Sequence, residues 1–238
     1  MQVGDADGVF TTSSNHDYAM NFSTGERPMT TQQFQIASRF MSKVCLIAGL
    51  SLTSALAFAM PQIGQPAPDF TVVDSQGKQH QLKDFAGKTV VLEWTNDQCP
   101  FVVKHYQGNM QALQGEFTAK ADQVWLSVIS SAPGKQGHVS GEKADELTKS
   151  RNAKPTAVVL DETGAMGKAY DAKTTPHMYV IDKNGILQYM GGIDSIPTAK
   201  AEDVAKATPY FANAMRAVIA GQKVDPAVTK PYGCSIKY

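Results

Sequence analysis

The chain has 238 residues, of which 42% are apolar and 18% are charged. This composition is typical of a globular protein with a hydrophobic core, and it argues against an intrinsically disordered chain. Basic and acidic residues are equal in number, 22 each, and this balance argues against a dedicated nucleic-acid-binding protein. Three cysteines are too few for a disulfide-rich scaffold but sufficient for a redox pair.

The N-terminal part of the chain differs in composition from the rest. Residues 1–40 are rich in small polar residues and methionine, so we predict that they are disordered or lie upstream of the start codon in use. Residues 41–59 have the parts of a signal peptide: Lys43, an apolar run over Val44–Leu56, and the cleavage motif Ala57-Phe58-Ala59. The run is shorter than the about 20 residues of a membrane span, although an uncleaved signal anchor is the alternative.

Cleavage after Ala59 predicts an exported, periplasmic protein with no stable membrane association. Cys45 would be removed with the signal peptide, so Cys99 and Cys234 would be the remaining cysteines. Export would place these two thiols in a compartment where a disulfide can persist.

The rest of the chain alternates predicted strands and helices, which indicates an α/β fold. We predict a central mixed sheet flanked by helices, with an N-terminal β-hairpin, in a domain over 60–220 and a C-terminal tail over 221–238 that carries Cys234. In chain order, the predicted elements are a hairpin over 70–82, a strand over 89–94, a helix from 100 to 117, a strand over 124–129, a helix over 142–151, a strand over 156–160, a short helix ending near 170, a hairpin over 178–189 and a helix over 202–220.

Cys99 lies between a predicted buried strand and a predicted helix that begins at Pro100. In open α/β sheets, catalytic groups gather at the carboxyl ends of the strands. The unpaired N–H groups and the dipole of a helix N-terminus lower the pKa of a thiol. This position predicts a reactive nucleophile, and an inert buried cysteine is the alternative.

A second segment, Thr174-Thr175-Pro176-His177, precedes the predicted strand over 178–181. A proline there is either an ordinary edge residue or a cis-proline that shapes a site. Combined with the Cys99-Pro100 helix start, the segment becomes a specific signal.

With these segments, residues from about 63 to 220 resemble a thioredoxin-fold protein of the redoxin, or alkyl hydroperoxide reductase/thiol-specific antioxidant, superfamily. The similarity is closest to a peroxiredoxin-like subgroup with a single cysteine in the active loop. It rests on the segments IGQPAPDFTVVDSQGKQHQLKDFAGKTVVLEW, CPFV, DETGAMGKAYDAKTTPHMYVIDKNG and GCSIKY. The resemblance implies that Pro176 is cis and packs against Cys99, and that the backbone of Thr175 lies open to pair with an incoming thiol peptide.

The chain departs from better-known relatives at several positions. Val102 stands where a thioredoxin has its second cysteine, and Asn96 and Leu92 stand where a typical peroxiredoxin has a hydroxyl residue and a proline. An arginine that matches the peroxiredoxin site is not evident. The superfamily suggests peroxidase activity, and these positions give it little support.

Cys234 follows Gly233 near the C-terminus, on what we predict to be a mobile tail. A thiol there could reach Cys99 and resolve a mixed disulfide or a sulfenic acid. A structural disulfide that fixes the tail and a disulfide between two chains are the alternatives.

Several side chains are candidates for a supporting role. Glu93 on the central strand is a candidate proton relay, provided that it is buried with a raised pKa and does not lie at an exposed strand end. His177 either faces the site or points into the sheet. Lys104 and His105 are interpreted as solvated surface residues.

We therefore predict an exported thiol-disulfide oxidoreductase or peroxiredoxin-like antioxidant protein. Cys99 attacks a disulfide, an oxidised thiol or a peroxide, Cys234 resolves the intermediate, and an external partner protein or small thiol resets the pair. The prediction includes no cofactor, no metal and no nucleic acid.

Two other classes of function stay open. One is a copper-delivery module with ligands from Cys99, Cys234 and His177 or His105, since soft thiolates and imidazoles suit Cu(I); its usual C-x-x-x-C spacing is missing. The other is a catalytically inactive scaffold that binds an extended peptide in the cis-proline groove.

Overall fold

The structure is a computed structural model, and it describes residues 60–238. The predicted upstream segment 1–40 and the predicted signal peptide 41–59 lie outside the described residues. Within residues 60–238, no helix has the length and apolar character needed to cross a membrane.

The described residues form short strands and helices in alternation. The strands are β1 (Thr71–Asp74), β2 (Gln79–Gln81), β3 (Thr89–Trp94), β4 (Gln123–Ile129), β5 (Ala157–Leu160), β6 (Thr174–Thr175), β7 (His177–Ile181), β8 (Leu187–Gly191) and β9 (Cys234–Ser235). The α-helices are α1 (Pro100–His105), α2 (Asn109–Phe117), α3 (Gly141–Ser150), α4 (Ala165–Ala169) and α5 (Tyr210–Ile219), with 3-10 helices η1 (Leu82–Phe85) and η2 (Ala201–Lys206).

Seven strands form one mixed sheet in the order β2-β1-β5-β4-β3-β7-β8. β4 pairs in parallel with both β3 and β5, whereas the β1–β2 and β7–β8 hairpins join the sheet through antiparallel pairs. This arrangement confirms the predicted α/β fold with a mixed central sheet and an N-terminal hairpin. The strands β6 and β9 pair with each other in a separate small sheet.

The central strand β3 sends alternate side chains into two apolar clusters, one on each face of the sheet. Val90, Leu92 and Trp94 contribute to a cluster that includes α4, whereas Val91 contributes to a cluster that includes α2 and α5. Because helices cover both faces, β3 is a nearly continuous apolar run. Glu93 is the exception, on the same face as Val91.

Two predicted helices are each divided in the structure. The predicted helix over 100–117 becomes α1 and α2, because Gly108 between them has a φ of 117°, a conformation that favours glycine and ends a helix. The predicted helix over 202–220 becomes η2 and α5, and Pro209 stands immediately before α5, where its missing N–H prevents a continuous helix.

The tail over 221–238 packs onto the domain. The backbone N–H of Met190 donates to the carbonyl of Ala227, and the N–H of Thr229 donates back to the carbonyl of Met190. The last residues are therefore attached to β8 and, through β9, to β6, and do not form the free tail that the sequence suggested.

Candidate active site

Cys99 lies between the carboxyl end of β3 and the first residue of α1. Its carbonyl oxygen accepts the N–H groups of Val102 and Val103, each at 2.9 Å, and so begins the helix. Pro100 occupies the first helical position, where the missing N–H of proline costs nothing. The side chain of Cys99 is completely buried, with 0% exposure.

The Cys99 thiol contacts the segment that precedes β7. Its Sγ lies 3.1 Å from the carbonyl oxygen of Thr175, and the peptide bond between Thr175 and Pro176 is cis. The cis-proline that the resemblance implied at Pro176 is thus confirmed, and the carbonyl of Thr175 provides the contact with Cys99.

Cys234 also lies beside Thr175, the residue whose carbonyl oxygen contacts Cys99. In the β6–β9 pair, Thr175 is the register partner of Cys234 and Thr174 is the partner of Ser235. The structure therefore corrects the expectation of an open Thr175 backbone, because the chain's own tail already occupies that edge. Gly233 has a φ of 138°, and a Cβ at this position would overlap the Thr175 carbonyl oxygen, so only glycine allows this approach.

The two cysteines are free thiols that meet at the backbone of Thr175, and their pKa values shift in opposite directions. Burial raises the pKa of the Cys99 thiol, but hydrogen bonds to its sulfur, the largest from Cys234, outweigh burial and leave that pKa lowered. Burial, the hydrogen bond to Cys99 and the charge of Cys99 raise the pKa of Cys234 to about 11. Cys99 is therefore the thiol that ionises first, and Cys234 remains a proton donor to it.

Glu93 is completely buried, which excludes the exposed strand end considered from the sequence. Its carboxylate accepts four hydrogen bonds, at 2.8 Å from Trp125 Nε1, 2.9 Å from Ser127 Oγ, 3.1 Å from Gln114 Nε2 and 2.8 Å from the Tyr106 hydroxyl. Burial raises the pKa of Glu93 even against these hydrogen bonds. The carboxylate thus joins β3 to β4 and α2, and a role as proton relay stays a prediction.

His177 points into the sheet beside Tyr179. Its Nδ1 accepts the N–H of Lys173 at 3.3 Å and lies 3.0 Å from the Tyr179 hydroxyl. Burial lowers the pKa of His177 to about 3, so the ring is neutral near neutral pH. The structure thus favours the orientation in which His177 points into the sheet over the one in which it faces the site.

Lys104 and His105 are buried, so their interpretation as solvated surface was wrong. Both contact Asp194, in the loop after β8, and Tyr232, two residues before Cys234. We call these four residues the latch cluster. The sequence carries no local signal for it, because its members come from three segments that are far apart in the chain.

Neither arginine of residues 60–238 forms a hydrogen bond with Cys99 or Cys234. Arg151 donates to the carbonyl of Asp97 and stacks over the Tyr106 ring, and Arg216 forms a two-pronged pair with Glu116. The contacts of the two arginines among the described residues are therefore with Asp97, Tyr106 and Glu116 and not with a cysteine sulfur.

The described residues also give no support to a copper-delivery module. Within residues 60–238, no group of three or more His, Cys, Asp or Glu side chains is placed to hold a metal. Both nitrogens of His105 already contact protein groups, and His177 is turned toward Tyr179.

The chain is similar to several known proteins. The thiol-disulfide oxidoreductase ResA of Bacillus cereus (strain ATCC 10987 / NRS 248) is 25% identical over 169 residues, which are 65% of this chain and 89% of that protein. An uncharacterized conserved protein from Geobacillus kaustophilus has a solved structure with a TM-score of 0.61 and 26% identity, covering 75% of this chain and 93% of that chain. For the hypothetical protein SMc02350 from Sinorhizobium meliloti 1021 the TM-score is 0.62 at 21% identity, with 76% and 96% covered.

The family comparison covers more than half of the chain. The profile of the AhpC/TSA family matches residues 63–190, a span that includes β3, Cys99 and the Thr175-Pro176 segment. The chain has a thioredoxin-like fold and belongs to the AhpC/TSA family.

Proposed function

We propose that this protein is a thiol-disulfide oxidoreductase in which Cys99 is the nucleophile and Cys234 is the resolving thiol. The observation that carries the proposal is the meeting of two free thiols at the backbone of Thr175. The lowered pKa of Cys99 supplies a thiolate, which is the reactive form in exchange chemistry. The relationship to ResA, which is named as a thiol-disulfide oxidoreductase, supports the same class of reaction.

In the proposed reaction, the Cys99 thiolate attacks one sulfur of a partner disulfide. A mixed disulfide forms, and the partner's other sulfur leaves as a thiolate that takes up a proton. The Cys234 thiol then loses its proton and attacks Cys99 Sγ, which releases the reduced partner and forms a Cys99–Cys234 disulfide. Two electrons have then passed to the partner, and an external dithiol or two small thiols return them by reducing the new disulfide.

The pKa values of the pair suit this order of steps. The charge of Cys99 and the hydrogen bond to it are two of the causes that raise the pKa of Cys234. Both disappear once Cys99 Sγ is bonded to the partner. Cys234 therefore ionises more readily in the mixed disulfide, where its attack is needed.

Access to Cys99 requires movement of the tail. The thiol has 0% exposure, and the Thr175 edge beside it is paired with β9. We propose that Thr175 and Pro176 form the partner-binding edge, and that a partner segment takes the place of β9 there. Peroxide is a second candidate oxidant. It is less favoured, because neither Arg151 nor Arg216 forms a hydrogen bond with a cysteine, as the arginine of a peroxidase site would be expected to do.

The test of this proposal is a trapping experiment. Cys234→Ser leaves Cys99 able to attack but removes the resolving thiol, so we expect a stable mixed disulfide with oxidised glutathione, seen as an added glutathione in the intact mass. Cys99→Ser is the matched control, and we expect it to form much less adduct because burial, the largest cause of the raised pKa of Cys234, remains in this variant. Equal adduct formation in the two variants would show that Cys99 is not the preferred nucleophile.

We further propose that residues 41–59 direct export to the periplasm, on the basis of the apolar run and the Ala57-Phe58-Ala59 motif. In a Gram-negative host, the periplasmic fraction should contain a protein whose first residue is Met60. N-terminal sequencing measures this directly. Recovery of a cytoplasmic protein that retains residues 41–59 would contradict the proposal.

A further inference from the structure

The latch cluster places buried charges between α1, which follows Cys99, and the tail segment that precedes Cys234. Lys104 and Asp194 form an ion pair with Nζ and Oδ2 at 3.5 Å, with side-chain exposures of 0% and 5%. Lys104 Nζ also donates to the carbonyl of Ile196 and to the Tyr232 hydroxyl, each at 3.0 Å. Buried charges are expensive unless each is paired and hydrogen-bonded, so such a cluster favours one arrangement of the segments that supply it.

Tyr232 is the member of the cluster that belongs to the tail. Its hydroxyl donates to Asp194 Oδ1 and lies 3.3 Å from His105 Nε2. Its ring lies under Lys104 Nζ, 5.2 Å from the ring centroid, and meets the Phe101 ring edge-on at 5.8 Å between centroids. One phenol thus connects the tail to the charged cluster and to an aromatic side chain of α1.

The cluster connects the segments that carry the two cysteines. Lys104 and His105 lie on α1, which starts one residue after Cys99, and Tyr232 lies two residues before Cys234. Gly233 is the residue between Tyr232 and Cys234, and its close approach to the Thr175 carbonyl leaves little freedom there.

The tail is also held beyond Cys234. The N–H of Ile236 donates to the Lys173 carbonyl at 3.1 Å, and the Tyr238 hydroxyl donates to the Ala172 carbonyl at 2.9 Å. Cys234 therefore lies between two attachments, and Tyr232 provides the upstream one.

We infer that the latch cluster, acting through Tyr232, is a positioning device that raises the effective concentration of Cys234 at Cys99 and so speeds resolution of the mixed disulfide. The inference rests on the proposed function, because it concerns the second step of that reaction. Tyr232 is a positioning residue: it contacts neither sulfur. Holding two reacting groups in place converts a bimolecular encounter into an intramolecular step, which is the physical source of the acceleration.

The test separates the two steps with an aromatic disulfide whose released thiol is coloured. The first equivalent of coloured thiol reports attack by Cys99, and the second reports attack by Cys234 on the mixed disulfide. Tyr232→Phe keeps the ring against Phe101 and removes the hydroxyl that joins Lys104, Asp194 and His105. We expect its second phase to be slower by about tenfold, as the loss of a hydrogen-bonded network to charged groups predicts, and its first phase to be no slower than in the wild type.

The matched control is Tyr170→Phe, which removes another buried hydroxyl, one that donates to the Pro68 carbonyl at 2.6 Å in the cluster on the other face of the sheet. Both phases should be unchanged in this control. The equilibrium constant of the Cys99–Cys234 disulfide with glutathione gives a second reading, and we expect it to fall in Tyr232→Phe by the same factor as the second phase.

The outcomes distinguish the inference from the proposed function. An unchanged second phase in Tyr232→Phe, or equal slowing of both phases, overturns the latch but leaves the cysteine pair intact as the redox centre. A wild-type protein that releases no second equivalent overturns Cys234 as the resolving thiol, and the latch with it.

Discussion

Replacing Cys99 with serine is expected to reduce steady-state thiol-disulfide exchange by at least about a thousandfold, as the loss of a nucleophile usually does. A serine hydroxyl is not ionised near neutral pH and does not form the mixed disulfide. Cys234 is a poor substitute, because its burial, the largest cause of its raised pKa, is independent of Cys99. The measurement is the rate of reduction of a disulfide substrate by dithiothreitol with and without the protein.

Cys234→Ser is the matched control for this experiment. Its Cys99 still attacks the substrate, and dithiothreitol can resolve the mixed disulfide from solution. We therefore expect this variant to retain measurable turnover, reduced by about ten- to a hundredfold because resolution is no longer intramolecular. Full turnover in Cys99→Ser would remove Cys99 from the mechanism.

The sequence was sufficient to predict the parts of the site whose signals are local. The buried strand that ends before Cys99, the helix start at Pro100 and the Thr175-Pro176 segment each depend on residues close together in the chain. The hairpin predicted over 178–189 is likewise present, as β7 and β8. These patterns were enough for the fold class and for the position of Cys99, which we propose as the nucleophile.

The rest depends on contacts between distant segments. β6 and β9 have two residues each, too few to show a period-two pattern, so their pairing at Thr175 could not be predicted. A lysine followed by a histidine on a short helix is typical of a solvated face. Lys104 and His105 are buried only because Asp194 and Tyr232 arrive from much later in the chain.

The tail has two opposing effects on the same thiol. By pairing with Thr175 it places Cys234 where the proposed resolution step needs it, and the same pairing occupies the edge beside the buried Cys99. A tail held too firmly would exclude the partner protein, and a tail held too loosely would no longer keep Cys234 beside Cys99. The attachments at Tyr232 and Tyr238 therefore set the balance between the two steps, which is why the proposed test follows both of them.

Glu93→Ala is expected to cause the largest loss of stability of any single change proposed for this protein. It leaves the donors of Trp125, Ser127 and Gln114 buried without their acceptor, and it opens a space beneath β3. We expect the free energy of unfolding to fall by about 3–5 kcal/mol, the usual cost of removing one partner from a buried polar network. Urea unfolding followed by tryptophan fluorescence measures it, with Trp125 in direct contact with the site.

Glu116→Ala is the matched control, since Glu116 is also hydrogen-bonded, to Arg216, but at an exposed position. An exposed ion pair contributes only about 0–1 kcal/mol, so this variant should unfold close to the wild type. Similar losses in the two variants would show that the Glu93 network contributes no more than a surface pair.

The pH dependence of the same measurement tests the protonation of Glu93. Burial raises its pKa in the folded protein, so the folded state retains a proton that the unfolded chain has already lost. The stability that Glu93 contributes is therefore fully present below the ordinary glutamate pKa of about 4.3 and decreases as the pH rises through the folded value. The difference in unfolding free energy between wild type and Glu93→Ala should therefore shrink between the ordinary glutamate pKa and the raised pKa of the folded protein. A difference that stays constant over this pH range would mean that the carboxyl group does not titrate with a raised pKa.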